Sequence, residues 1–371
     1  MAKLNLRKLF IDVFKPIKED VVTVMIDLPS ERAKDIIYWK QRREIMAKEW
    51  HDTFVELSKE IGFKVNPIIG FACWGMDGHD LPEDGVIIGG GKIVLKDFIS
   101  TSTVIVAMTE FSVTAPLNEF AKKYEKLRFA SMPQTLLEAQ ESALTADYAK
   151  VAEMCSKLAK VVAPADGAEV TFATGHKCYF DLKFRETHEE NGLLPPNKTG
   201  DKLVNLPGGE VYKAPYEGEK NEPSKTHGEL PVNYLGELVV YKVDKNKIIE
   251  VVGNGPKADK MRAYFAEDPS RMNIAEFGLG CNDRALVRES KDEYFIVARE
   301  VEEEKAGFHW AYGRSDQLGG IWGVDKFKTP ETVTHRDIVY AKGSPIGVKS
   351  IELEYPDGTK RNIWDGEWYN V

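Results

Sequence analysis

The first half of the chain alternates strand-like and helix-like hydrophobic patterns. Val21–Leu28 (VVTVMIDL) is almost continuously apolar and rich in β-branched residues, which predicts a strand covered on both faces. Apolar residues then recur at helical spacing from Ser30, the predicted N-cap, to Ile61. Further strands are predicted over Lys64–Phe71 and Ser102–Met108. Strand, helix and strand in this order predict a parallel α/β sheet.

The same periodicity predicts a helix over Thr135–Ala163 and a strand over Glu169–Thr174. The segment Glu186–Asp201 is polar and contains two consecutive prolines, so we place a domain boundary there. The sequence therefore predicts an N-terminal α/β domain over residues 1–195 and a second domain over residues 196–371.

The second half consists mainly of alternating, strand-like segments. Examples are Leu235–Val243, Lys247–Val252 and Lys349–Tyr355, and Pro256–Glu267 is the one clear helix. The predicted fold class is thus α/β, with a parallel sheet in the N-terminal domain and an α+β arrangement in the C-terminal domain.

Composition excludes several classes of protein. The 371 residues are 43% hydrophobic and 29% charged, with a formal net charge of −9 and no basic run, which argues against nucleic acid or an anionic membrane as partner. The sequence has no secretory signal pattern and no apolar run long enough to span a membrane. Four widely spaced cysteines without a CxxC pair favour a reducing, cytoplasmic location.

Acidic residues and histidines of the second half carry the candidate chemistry. Glu210 follows a Pro-Gly-Gly turn, and Glu276 lies among apolar residues and glycines, where a carboxylate needs a cation, hydrogen bonds or an arginine partner such as Arg284. Glu304 precedes His309 by five residues on a segment interrupted by glycine, although three successive acids more often form a solvated face. Carboxylate and imidazole together suit divalent metals.

His335 and Asp337 complete this set. Their i, i+2 spacing places both side chains on one side of an extended strand. We interpret the set as a two-metal hydrolase site. His79, His176 and His188 are expected to be loop, surface or hydrogen-bonded residues.

These motifs resemble those of the thermophilic metallo-aminopeptidases. The likeness lies in RFASMP, NLPGGEVYKAP, IAEFGLGCN, EEEKAGFHWAYG and HRD. The resemblance implies two divalent ions (Zn, Co or Mn), small peptide substrates and a homodimer. It also implies six metal ligands, namely Glu210, Glu276, Glu304, His309, His335 and Asp337.

One position departs from the family pattern. The family has a tyrosine seven residues after the histidine of the His-x-Ala-x-Gly motif, and this chain has Asp316 there. The candidates for accepting a proton from water are therefore Glu210, Glu276 and Asp316, and Tyr312 is a candidate hydrogen-bond donor to the oxyanion.

Two other functions remain open. The C-terminal half also resembles the 2,5-dihydroxypyridine ring-cleaving dioxygenases, which bind one Fe(II) through two histidines and a carboxylate, but Glu276 stands where that family has histidine. The second alternative is a non-catalytic metalloprotein of the same fold.

Overall fold

A computed structural model of the chain describes residues 4–35, 37–75, 79–200, 202–287 and 301–371. No helix within these ranges is long and apolar enough to cross a lipid bilayer. The α-helices are α1 (Leu6–Phe14), α2 (Ile37–Gln41), α3 (Lys48–Ile61), α4 (Leu95–Thr101), α5 (Thr114–Lys123), α6 (Tyr148–Val162), α7 (Pro256–Glu267) and α8 (Val301–Glu304).

The strands are distributed over three sheets. In chain order they are β1 (Val21–Leu28), β2 (Lys64–Val65), β3 (Ile69–Ala72), β4 (Asp84–Ile87), β5 (Lys92–Val94), β6 (Val104–Met108), β7 (Arg128–Ser131), β8 (Gly167–Phe172), β9 (Lys177–Asp181), β10 (His188–Glu190), β11 (Leu203–Asn205), β12 (Glu210–Lys213), β13 (His227–Tyr234), β14 (Glu237–Asp244), β15 (Lys247–Val252), β16 (Ile274–Gly280), β17 (Gly307–Gly313), β18 (His335–Ala341), β19 (Val348–Glu354) and β20 (Lys360–Asn362).

The first sheet has the parallel core that the sequence predicts. Its order is β11-β7-β6-β1-β3-β4-β5, with β2 also paired to β1. The pairings among β11, β7, β6, β1 and β3 are parallel, and only β4 and β5 add antiparallel pairings. Phe10 of α1 stacks on Phe54 of α3 and contacts Trp50, which fixes both helices together against one face of the sheet.

The helix after β1 begins later than the pattern predicts. The Ser30 hydroxyl accepts hydrogen bonds from the amides of Arg32 and Ala33, so it closes a turn and does not cap a helix. A π-helical segment over Arg42–Ala47 separates α2 from α3. The buried Arg42 guanidinium donates to the backbone carbonyl of Thr135. The spacing of apolar residues along the chain cannot predict a contact between residues so far apart in sequence.

The helix predicted over Thr135–Ala163 forms only in its second part. Residues 137–145 make two 3-10 turns, and α6 begins at Tyr148, where the Asp147 side chain accepts hydrogen bonds from the first free amides. The Ala143 amide bonds to the carboxylate of the distant Glu302. Tertiary hydrogen bonds therefore replace helical ones in this segment.

Two antiparallel sheets form the rest of the fold. The seven-stranded sheet has the order β15-β14-β13-β9-β8-β19-β20, and the five-stranded sheet has the order β10-β12-β16-β17-β18. Phe180 of the seven-stranded sheet packs against Phe277 and Phe308 of the five-stranded sheet, at ring-centroid distances of 5.3 and 6.0 Å. The predicted fold class, a parallel α/β sheet followed by an antiparallel region with few helices, is confirmed.

Strand pairing crosses the predicted domain boundary in both directions. β8 and β9 precede residue 195 but pair with strands of the second half, and β11 follows it but pairs with β7 of the first sheet. The division into residues 1–195 and 196–371 stays a prediction.

Candidate metal site

The five-stranded sheet has one apolar face and one polar face. Val211, Phe308, Trp310 and Ile338 point into the core between the antiparallel sheets. Because successive side chains of a strand point to opposite faces, their neighbours point away from that core. We call this side the polar face, and its acidic and histidine side chains are His188, Glu190, Glu210, Glu276, His309, His335 and Asp337.

Four of the strands bring five of these side chains into two groups of three. In the first group, the His309 Nε2 atom lies 3.5 Å from Glu210 Oε2 and 3.3 Å from Glu276 Oε1. In the second group, the His335 Nε2 atom lies 3.1 Å from Glu276 Oε2 and 3.4 Å from Asp337 Oδ1. Glu276 belongs to both groups and gives one oxygen to each.

The histidines are oriented to present Nε2 to a metal. His309 Nδ1 lies 3.3 Å from the Gly307 carbonyl oxygen, and His335 Nδ1 lies 2.7 Å from the Arg314 carbonyl oxygen. A backbone carbonyl accepts only from a protonated nitrogen, so these contacts place a hydrogen on Nδ1 of each ring, and a metal at Nε2 would replace the hydrogen that Nε2 donates to Glu276.

The donor atoms fit divalent cations. Glu210 Oε2 and Asp337 Oδ1 are buried and have no hydrogen-bond partner among the described residues, although each lies within 3.5 Å of an imidazole Nε2. Buried carboxylate oxygens without partners are costly unless a cation satisfies them. Nitrogen and oxygen donors in this combination suit Zn, Co, Mn or Fe(II).

Gly278 makes room for the His309 ring. The two residues lie opposite each other in the pairing of β16 with β17. A Cβ atom added to Gly278 would lie 2.0 Å from His309 Nε2, so the imidazole occupies the space above this glycine. Gly278 of the IAEFGLGCN motif therefore makes room for a ligand of the first group.

We expect Gly278→Ala to displace His309 and to reduce divalent metal binding by at least about 10-fold, because ligand orientation controls affinity. The measurement is a calorimetric titration of the metal-free protein with Zn²⁺ or Mn²⁺. Gly347→Ala is the control, because its added Cβ would meet only Ala173, at 3.9 Å. Wild-type affinity in Gly278→Ala would contradict this placement of His309.

A buried lysine, which the sequence pattern did not predict, lies among the acidic side chains of the site. Lys305, with a side chain that is 0% exposed, lies between α8 and β17, and its Nζ atom donates to Glu210 Oε1 at 2.6 Å and to Glu304 Oε1 at 2.8 Å. Glu190 Oε2 lies 3.9 Å away. Lys305 therefore holds one oxygen of Glu210, and the other oxygen remains directed at His309.

The charges of the cluster shift its pKa values strongly. Burial raises the pKa of Glu210 to about 8, even though Lys305 opposes this shift. Burial also acts on Glu276, but the hydrogen bonds from His309 and His335 outweigh it and hold the pKa of Glu276 well below its usual value. Burial would lower the pKa of Lys305, but the charges of Glu210, Glu304 and Glu190 raise it well above the ordinary range. The cluster is rich in negative charge and would be stabilised by added cations.

Glu304 belongs to neither three-ligand group. The resemblance implies that Glu304 is a metal ligand, but its Oε1 atom accepts from Lys305, and burial raises the pKa of its carboxyl group. The geometry instead places Glu304 where it holds Lys305 in position. The other acids of the triplet are also buried, so Glu302–Glu304 is not a solvated face.

Tyr312 does not reach the polar face. It is buried in the aromatic core on the opposite side of β17, where it packs against Phe265 and Tyr264 at ring-centroid distances of 5.3 and 6.2 Å. Tyr312 lies three positions after His309, and an odd offset puts the two side chains on opposite faces of the strand. The predicted role of Tyr312 as an oxyanion donor has no support in this geometry.

Asp316 also lies outside both groups. It begins a 3-10 turn after β17, its carboxylate pairs with the Arg314 guanidinium, and its side chain is 36% exposed. The predicted role of Asp316 as a proton acceptor therefore has no geometric support either. Of the three candidate proton acceptors, Glu210 and Glu276 are the two that the structure brings into the cluster.

The solved structures that share this fold include two enzymes. 2,5-Dihydroxypyridine dioxygenase from Pseudomonas putida matches with a TM-score of 0.64 and 15% identity, over 99% of this chain and 97% of that chain. Aminopeptidase T (AmpT) from Thermus thermophilus matches with a TM-score of 0.51 and 12% identity, over 98% of each chain. No family model and no curated protein sequence matches the chain. The relationship to both enzymes is a distant one of fold.

Proposed function

We propose that the protein is a metal-dependent hydrolase that binds two divalent ions and removes N-terminal residues from small peptides. The observation that carries this proposal is the position of Glu276, which directs Oε1 to His309 and Oε2 to His335. A carboxylate with its two oxygens in separate ligand groups is suited to bridge two ions about 3.5–4 Å apart.

The charge of the cluster supports two ions over one. Five carboxyl groups and one ammonium group surround the site, namely those of Glu190, Glu210, Glu276, Glu304, Asp337 and Lys305. With all carboxyl groups ionised, these residues leave four negative charges, which two divalent ions would neutralise. A single ion would leave two negative charges in a largely buried site, which is costly.

The ligand residues would hold the ions as two sets of three. Glu210, Glu276 and His309 would hold the first, and Glu276, His335 and Asp337 the second. Two ions bound there would polarise the scissile carbonyl of a peptide and lower the pKa of an attacking water molecule. Glu304 lies outside both sets and accepts a hydrogen bond from Lys305, so it would hold that ammonium group beside Glu210.

The substrate class and assembly follow from the family resemblance. A peptide with a free α-amine, bound beside the carboxylate-rich cluster, would be cleaved as an exopeptidase substrate. The proposed assembly is a homodimer, and the proposed partners include neither nucleic acid nor membrane.

A mononuclear Fe(II) dioxygenase is the second candidate. Lys305 already binds Glu210 and Glu304, and this pairing leaves Glu276, His335 and Asp337 as a compact group for one ion. One acid would then have to replace a histidine of the two-histidine, one-carboxylate arrangement that such enzymes use. The dioxygenase of similar fold makes this candidate worth a direct test.

The discriminating experiment combines metal analysis with two assays. The purified chain, loaded separately with Zn²⁺, Co²⁺, Mn²⁺ and Fe²⁺, is assayed on amino-acid anilides and short peptides, with N-acetylated peptides as matched controls. We expect two ions per chain and hydrolysis restricted to substrates with a free α-amine. One iron per chain, together with oxygen-dependent loss of 2,5-dihydroxypyridine absorbance, would establish the dioxygenase.

A further inference from the structure

We propose that Tyr212 donates a hydrogen bond to the substrate carbonyl oxygen and that His188 supports its ring. This inference rests on the hydrolase function proposed above and adds a substrate-contacting residue to the metal ligands. Tyr212 lies in β12, two residues after Glu210, and therefore on the polar face of the sheet.

The strand register places Tyr212 next to the first ligand group. Tyr212 pairs with Gly278 of β16, and Gly278 has no side chain of its own. The space above Gly278 is occupied by the His309 imidazole. Neighbouring strands lie about 5 Å apart, so Tyr212 and His309 flank Gly278 from its two sides on the polar face.

His188 flanks Tyr212 on the other side. The two residues pair directly between β10 and β12, and their rings stack with centroids 5.1 Å apart at an interplanar angle of 15°. His188 Nε2 is buried and has no hydrogen-bond partner among the described residues. The stack on Tyr212, and not a hydrogen bond at Nε2, therefore holds this imidazole in place.

The loop after β17 bounds this pair of rings. A Cβ atom added to Gly319 would lie 3.3 Å from His188 Nε2, which places the loop against the imidazole. The loop is anchored by buried Glu217, which accepts from the Ser315 hydroxyl and the Ile321 amide, each at 2.6 Å. His188, Tyr212 and this loop therefore form one wall beside the ligand groups.

The phenol of Tyr212 is chemically suited to the role. Its hydroxyl forms no hydrogen bond with another described residue, so it is available to a ligand. A tyrosine phenol has an ordinary pKa of about 10, so it carries its proton at neutral pH. A protonated phenol beside a developing oxyanion is a donor of the kind that stabilises acyl-transfer transition states.

Other tyrosines of the sheet cannot take this role. Tyr312 and Tyr340 lie in the core on the opposite face, and the Tyr340 hydroxyl donates to the Pro231 carbonyl oxygen. Among the described strands of this sheet, Tyr212 is the residue that brings a hydroxyl group to the polar face.

The test compares Tyr212→Phe with Tyr340→Phe, the same chemical change on the opposite face. We expect Tyr212→Phe to retain two ions per chain and to lose about 10²- to 10³-fold in kcat, with kcat/KM falling equally. The affinity for L-leucinephosphonic acid, a tetrahedral analogue, should fall by a similar factor in calorimetry. Tyr340→Phe should lower the melting temperature and leave kcat unchanged.

His188→Phe provides a second variant that keeps an aromatic ring but removes Nε2. Because the stacked ring remains, kcat and metal content should stay close to those of the wild type, whereas His188→Ala, which removes the ring, should lower kcat with unchanged metal content. Wild-type kcat and analogue affinity in Tyr212→Phe, with two ions bound, would overturn the role of Tyr212 and leave the hydrolase function standing. Wild-type protein with two ions and no hydrolysis would overturn both.

Discussion

Glu276→Gln is expected to lower bound divalent metal from two ions per chain to at most one and to lower peptide hydrolysis by about 10³-fold or more. Glutamine keeps the length of the side chain, but its amide group can offer only one oxygen, and both His309 and His335 face an oxygen of Glu276. Loss of several kcal/mol of charge stabilisation in the transition state corresponds to a rate effect of this size.

Elemental analysis and turnover, each measured after dialysis and reloading with metal, provide the readouts. Glu217→Gln is the matched control, because Glu217 is also a buried glutamate of the second half but binds Arg185, Asn273 and Ser315. It should lower stability and retain both ions. Full occupancy in Glu276→Gln would exclude Glu276 as the shared ligand.

The sequence predicts those parts of the structure that depend on local pattern. β1 coincides with the predicted strand Val21–Leu28, because a continuous β-branched run has few alternatives. The i, i+2 spacing of His335 and Asp337 places both on one face of β18, and the structure brings both to Glu276. Local geometry was sufficient in these cases.

The position of Tyr312 could have been predicted from its offset of three positions from His309. The segment Gly307–Gly313 is a strand in which His309 belongs to one face and Tyr312 to the other. Once an extended conformation is assumed for this segment, the odd separation of the two residues excludes a shared cavity. Tyr212 lies two positions after Glu210, so the same alternation of side chains predicts that both point to the polar face.

Lys305 shows what the sequence could not reveal. A lysine after three acids is usually a solvated ion pair, and only the packing of α8 against β16, β17 and β18 buries it among Glu190, Glu210 and Glu304. The same packing removes Glu304 from the ligand groups. The local pattern of apolar and polar residues does not indicate long-range contacts of this kind.

Lys305→Met is expected to lower the free energy of unfolding of the metal-free protein by about 3–5 kcal/mol, because it leaves Glu210 and Glu304 without their buried cation. The second expectation concerns metal. Added Zn²⁺ or Mn²⁺ should raise the melting temperature more in Lys305→Met than in the wild type, because a divalent ion supplies part of the missing positive charge.

Lys213→Met, in β12 of the five-stranded sheet, is the matched control. Lys213 is also buried, but its Nζ atom donates to the backbone carbonyl oxygens of Val162, Ala163 and Ala165, and burial lowers its pKa to about 8. Its loss should cost about 1–3 kcal/mol and leave the metal-induced shift in melting temperature unchanged.

The double variant Glu304→Gln/Lys305→Met keeps the test informative if Lys305→Met does not fold. Removing one acid together with the ammonium group reduces the unpaired negative charge, so the double variant should be more stable than the Lys305→Met single variant. Chemical denaturation and thermal melting, each with and without metal, measure these differences. Equal metal-induced shifts in the wild type, Lys305→Met and Lys213→Met would show that Lys305 is not coupled to the metal ligands, and the charge balance proposed for two ions would then have to be abandoned.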